Sequence, residues 1–172
     1  TEELSDVCGC DLAKPVKRDT ENARRLIFCE KPLLEAKFGK VSINAEGEKF
    51  CGDCAENFID QYGCAHMILS DGMGSGAEAT TSAGIASMFC EKMLMAGNKV
   101  DISLRMLDTY VRSKNMGTGD ECSATVDLME LDLMNGQAVF AKNGAAPTYV
   151  VREGRVYKLR TRSMPLGILS DT

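Results

Sequence analysis

The chain has no concentrated block of basic residues: its 20 Lys and Arg are outnumbered by 25 Asp and Glu, and the net charge is -5. That balance argues against a nucleic-acid partner, which is met by a basic patch, and against contact with an anionic membrane surface. No apolar run reaches the ~18 residues that a membrane-crossing helix requires. Residues 1–30 lack the basic start and apolar middle of a secretory signal. There is no internal repeat or low-complexity tract, and histidine occurs once, at His66, which reads as a packed or hydrogen-bonded side chain.

What is present is ordinary for a globular domain. The 172 residues, 44% hydrophobic and 26% charged, are enough to build one core. Cysteine is the exception, with eight, at positions 8, 10, 29, 51, 54, 64, 90 and 122. Cys64, Cys90 and Cys122 lie in core-like segments, where a free thiol packs as a small apolar residue. A secreted disulfide scaffold is shorter and richer in cysteine, so reduced thiols in a cytoplasmic compartment are expected.

Along the chain, residues 19–30 (DTENARRLIFCE) read as a helix capped by Asp19 or Thr20 and stopped by Pro32. Residues 33–50 alternate as a strand through Leu34, Ala36, Phe38, Val41 and Ile43, with a turn at Glu46-Gly47-Glu48. Residues 64–69 are a short buried strand. Helices are expected over 77–96, stopped by Gly97, and from Asp101 to about Asn115. The last third turns to strands: 122–133, a two-residue hairpin at Asn135-Gly136, 137–142, 148–152, a tight turn at Glu153-Gly154, and 155–160. Helices in the middle and antiparallel strands after them make an α+β layout. Residues 1–32 are expected to be an N-terminal appendage and 33–172 the main domain.

The most informative run is Ser70-Asp71-Gly72-Met73-Gly74-Ser75-Gly76, between a strand and a helix. An Asp at a strand end beside glycines suits a hard divalent ion, and Gly72 can offer its carbonyl at close range. Asp53 also neighbours a glycine at a strand boundary, and adjacent strands would bring both carboxylates to one sheet edge. Each Gly-Asp or Asp-Gly taken alone is also a common turn. A phosphate cradle fits less well, because the glycine spacing is not G-x-G-x-x-G and no Lys-Ser/Thr follows. Cys51-x-x-Cys54 with Cys8-x-Cys10 offers a third reading, a four-thiolate zinc module.

Several of these residues together resemble the stage II sporulation protein E phosphatases, of the metal-dependent type 2C class. The resemblance lies in Ser70–Gly74 before a small-residue helix, Gly52-Asp53, Asp120-Glu121 with Ser123–Leu128, Lys142–Pro147 and Met164–Ile168, in the family's order over roughly residues 40–170. It implies two antiparallel β-sheets stacked as a sandwich and flanked by helices, with a binuclear Mn²⁺ or Mg²⁺ centre at one edge. It implies that Asp53 and Asp71 are metal ligands and catalytic, that Gly72 contributes its carbonyl, and that metal-bound water attacks phosphoserine or phosphothreonine in a protein. The implied substrate is a phosphorylated anti-sigma factor antagonist in sporulation control. The implied setting is the cytoplasmic side of a protein anchored at the division septum. A homodimer contact or switch through the helix at 20–31 is a further implication. The family's second Asp-Gly motif and a later Asp would fall beyond Thr172, and Ser170-Asp171 is a poor substitute. The chain is therefore expected to be a domain incomplete at its C-terminus and weakly active at most. A non-catalytic interaction domain is the alternative.

Overall fold

In a computed structural model of the protein, the chain forms, in order, α1 (Glu2–Cys8), β1 (Val16–Thr20), β2 (Ala23–Ile27), β3 (Asp53–Ile59), β4 (Cys64–Asp71), α2 (Gly76–Met95), α3 (Val100–Thr118), β5 (Val126–Asp132), β6 (Ala138–Asn143), β7 (Thr148–Arg152) and β8 (Arg155–Leu159). The structure describes all residues except 21, 22, 45, 48, 75, 119–121 and 169–172. Glu48 of the expected turn, Ser75, Asp120-Glu121 and Ser170-Asp171 thus lie outside the described residues.

The centre is a four-stranded antiparallel sheet in the order β3-β4-β5-β6, and the hairpins β1-β2 and β7-β8 form two further antiparallel sheets. Ile68 and Leu128 project from one face of the central sheet onto α2 and α3. The sheet-facing side of α2 is made of Ala79, Ser82, Ala83, Ala86, Ser87 and Cys90. Small side chains there let the helix lie close to the strands. Leu94, Leu107 and Val111 fill the remaining space and are almost fully buried. Because strand side chains alternate, Leu69, Asp71 and Asp127 point to the other face. Thr148 at the start of β7 reaches that face, where it bonds to Asp127 and Lys142.

A C-terminal strap returns to the core after β8. Leu166 N donates to the Ala124 carbonyl (2.9 Å), and Gly167 N donates to the Asp108 carboxylate on α3 (3.1 Å). Gly144, with φ +64, faces Pro165 so closely that a Cβ would lie 2.6 Å from its ring.

Three local expectations are corrected. No helix forms among the described residues of 19–30. Asp19 and Thr20, with Ala23–Ile27, belong to the β1-β2 hairpin, in which Arg18 pairs with Arg25, and the Thr20 hydroxyl, expected to cap a helix, donates to the Ala23 carbonyl instead. The segment expected to carry a homodimer contact or switch is thus not helical where it is described; the N-terminal helix is Glu2–Cys8. No strand forms among the described residues of 33–50. Leu33, Val41 and Ile43 stay exposed, so the alternation buries no face. The segment is held instead by the Leu34 N–Leu133 O bond and a Lys40–Glu56 ion pair (3.6 Å). Finally, the Asn135-Gly136 hairpin is longer than two residues. Asp132 closes the loop, accepting from Met134 N and from the Asn135 side chain.

Candidate metal centre

Asp53 opens β3 and Asp71 closes β4, and the antiparallel register sets them directly opposite each other. Opposed residues in such a pair have Cβ atoms about 4.5–5.5 Å apart, so the two carboxylates share one end of the sheet and one face. Asp53 begins its strand rather than following one, which is what places it beside the end of β4.

Asp71 is fixed from the β5 side. Its N–H donates to the Thr125 hydroxyl (3.1 Å), and its carbonyl accepts from Thr125 N (2.8 Å). The buried Ser70 hydroxyl donates to the Thr125 carbonyl (2.8 Å). Partial burial, and after it the Asp53 charge and hydrogen bond, push the Asp71 carboxyl up from its ordinary value. Two neighbouring acids at a partly buried edge behave in this way.

Gly72 N donates to the Gly52 carbonyl (3.1 Å), and Gly72 bridges to Ala124. A Cβ at Gly72 would lie 1.8 Å from the Ala79 carbonyl oxygen on α2. Glycine is therefore required here by the approach of the helix, whatever use is made of its carbonyl. The same turn of α2 is tied to the other strand by the Thr80 hydroxyl, which donates to the Cys51 carbonyl (2.9 Å).

Two carboxylates and a backbone carbonyl are hard oxygen donors, and Mg²⁺ is commonly held by one or two carboxylates with waters and substrate phosphate completing its shell. The donor set fits Mg²⁺ or Mn²⁺ and does not fit a thiophilic ion. The four-thiolate arrangement is not formed: among the described residues, no three His, Cys, Asp or Glu side chains are grouped to hold an ion. Cys51 instead contacts the Ile43 carbonyl and Cys54 contacts Glu56. All eight cysteines are free thiols. Burial pushes Cys90 up to about 12.

A sequence model of the family Stage II sporulation protein E (SpoIIE) matches residues 61–172. The chain belongs to this family. It is 30% identical over 103 residues to Stage II sporulation protein E of Bacillus subtilis (strain 168), a match covering 60% of the chain and 12% of that protein. It is 27% identical over 132 residues to the protein of the same name from Priestia megaterium, covering 76% of the chain and 22% of the relative. The chain thus spans a minor part of the length of these SpoIIE relatives. In fold it is similar to the PP2C phosphatase domain with a regulatory fragment of SpoIIE from Bacillus subtilis (TM-score 0.75, 22% identity, 99% of this chain and 50% of that one). It is also similar to RsbX in complex with magnesium (TM-score 0.62, 17% identity, 91% and 68%). The α+β fold of antiparallel sheets and helices is that of the PP2C phosphatases.

Sequence reasoning singled out Asp53, Asp71 and Gly72 but assigned no role to the residues that hold them. Ser70 lies beside Asp71 on β4, Thr125 just before β5 and Thr80 on α2, and their bonds join segments far apart in the chain, which no local pattern encodes. His66, by contrast, is the packed residue it was expected to be. It is buried, stacked on Phe58 (4.8 Å between centroids) and bonded to Asp60 (2.9 Å) at the end of β4 away from Asp71.

Proposed function

We propose that this chain carries the phosphatase unit of a SpoIIE-family protein, in residues 33–172, and that the unit hydrolyses phosphoserine or phosphothreonine in a protein. The observation that carries the reading is the opposition of Asp53 and Asp71 at one sheet end, with Gly72 adjoining. Asp53, Asp71 and the Gly72 carbonyl would hold Mn²⁺ or Mg²⁺. Ions of this kind, when bound, supply acidified water and charge neutralisation for a phosphoryl group. The chain's own residues do the rest. Thr125 and Ser70 fix the Asp71 backbone, and Thr80 and Ala79 fix the Cys51–Gly52 and Gly72 backbones against α2.

The sporulation proteins among its relatives support a phosphorylated anti-sigma factor antagonist as substrate, met on the cytoplasmic side of a septum-anchored parent. The test is hydrolysis of a phosphoprotein by the whole protein containing this chain, with Mn²⁺ or Mg²⁺ and after chelation. Turnover is expected only with metal, and Asp71→Asn is expected to abolish it. Undiminished turnover in Asp71→Asn would refute the role given to Asp71. Retained binding of the substrate protein with no metal-dependent turnover in the parent itself would favour an interaction domain.

A further inference from the structure

Next to the opposed carboxylates lies a third acid that the proposed site does not use. Asp127 on β5 pairs with Leu69, two residues before Asp71 on the same face of β4. Diagonal neighbours of this kind are about 7–8 Å apart, within reach of one another's charge. Asp127 is nonetheless committed elsewhere. Lys142 stands directly opposite it on β6, with Nζ 2.5 Å from the Asp127 carboxylate, and the Lys142 side chain is only 2% exposed. The ammonium also donates to the Thr148 hydroxyl (2.6 Å), which in turn donates to Asp127. The Lys142 carbonyl accepts from Ser163 of the C-terminal strap (2.7 Å), so its backbone is held as well as its head.

A lysine carries strongly hydrated charge and is rarely buried without a reason. Here it sits one strand beyond an acid that would otherwise add a full negative charge to the Asp53–Asp71 edge. We propose that Lys142 is a positioning residue for Asp127: a fixed internal cation that turns the third carboxylate away from the divalent-ion site and sets that site's affinity. The inference rests on the reading of Asp53 and Asp71 as metal ligands. Two roles follow for one ammonium group. It neutralises Asp127 at short range, and it keeps the divalent ion dependent on the two opposed acids, so that the ion is held loosely enough to keep positions open.

The experiment is a Mn²⁺ titration of the whole protein containing this chain, read by the loss of free-ion EPR signal, with folding followed by far-UV circular dichroism. Lys142→Met frees Asp127, and one unit charge acting on a divalent ion at this separation is worth about tenfold in affinity. Lys142→Met is therefore expected to bind Mn²⁺ about tenfold more tightly than the natural chain. Asp127→Asn leaves the ammonium uncompensated and is expected to weaken binding by a similar factor. The double variant should return close to the natural value. A purely structural pair would weaken binding in every variant, so tightening in Lys142→Met is the deciding sign. Should Lys142→Met fail to fold, Lys142→Gln makes the same charge change while keeping a donor for Asp127 and Thr148, with the same expectation. Unchanged or weaker binding in the folded lysine variant overturns the proposal. Asp71→Asn separates the two readings: if it leaves Mn²⁺ binding intact, the assignment of the metal site is wrong, whereas its loss beside an unresponsive lysine variant refutes the role of Lys142 alone.

Discussion

Gly72→Ala should be among the most damaging single-methyl changes in this chain. The added Cβ would lie 1.8 Å from the Ala79 carbonyl oxygen, 2.5 Å from its carbon and 2.9 Å from its Cα. Carbon and oxygen come no closer than about 3.3 Å even in favourable contacts, so strand and helix must separate by about 1.5 Å. All three atoms are backbone, and none can rotate aside. Gly72 is also held from its other flanks, by its N–H bond to Gly52 and its bridge to Ala124, so β4 has no free direction in which to retreat. Overpacking a methyl group costs about 1–3 kcal/mol and more when the neighbour is rigid. The stiffer unfolded chain returns about 0.4–1 kcal/mol of this. Three rigid backbone contacts put the cost at the top of that range, so a net loss of about 2 kcal/mol is expected, a fall in melting temperature of roughly 4–8 °C for a chain of this size. Gly52→Ala is the matched control. Its Cβ would meet the Ala79 Cβ at 3.5 Å and the Gly72 carbonyl oxygen at 4.0 Å, both ordinary contacts, and it should stay within about 0.5 kcal/mol of the natural chain. Thermal melts followed by circular dichroism read both. A Gly72→Ala protein melting within a degree of the natural one would refute the claim that α2 rests on this glycine.

Two further outcomes concern charge. Burial pushes the Asp60 carboxyl up, but the His66 side chain and the N–H groups of Cys64 and Tyr62 outweigh it, and the net direction is down. A depressed acid contributes stability above its unfolded value of about 3.9, and that stability is lost as pH falls through the lower folded value. Asp60→Asn should therefore cost about 1–2 kcal/mol in urea melts at pH 7, with the gap to the natural chain closing below pH ~4; a gap constant from pH 3 to 7 would contradict the linkage. Asp71 moves the other way, raised by burial first and by Asp53 second. The stability a raised acid contributes is present at low pH and lost as pH rises through the folded value. At neutral pH without metal, Asp53→Asn should thus stabilise slightly, by a few tenths of a kcal/mol after solvent screening, or ~1 °C. With saturating Mn²⁺ the order should reverse, because bound ion stabilises the natural chain by mass action.

The elements legible in the sequence are those whose cause is local. The strand expected at 64–69, which runs on to Asp71, the helices expected from 77 and 101, which each start one residue earlier, the Gly97 stop and the Glu153-Gly154 turn each follow from a few adjacent residues. The failures share a different cause. Residues 19–30 carry a helix-like cap and an apolar end, yet Val16, Leu26 and Ile27 also suit a strand. Pairing of Ala23–Ile27 with Val16–Thr20 decided between them, and three of those five partners, Val16, Lys17 and Arg18, lie before the segment. Residues 33–50 alternate as a strand does, but alternation produces a strand only where a partner edge and a face to bury are available. Here Val41 and Ile43 have neither.

The site divides along the same line. Asp71 and Gly72 were marked by their own neighbours, and Asp53 by a single glycine. That Asp53 and Asp71 meet depends on the β3-β4 register, which a one-residue slip would turn to opposite faces. The register is itself held by long-range terms: α2 lying on Gly72 and Thr125 clasping Asp71. Gly72 shows the limit of reading chemistry from residue type. Its glycine was explained by a carbonyl offered to an ion, whereas the contact that forbids any side chain is with α2. The two explanations are compatible, and their joint consequence is the stronger statement. A helix that rests on the backbone beside the metal-ligand candidates cannot shift without moving them, so the packing of α2 and the geometry of the carboxylate edge are one structural variable.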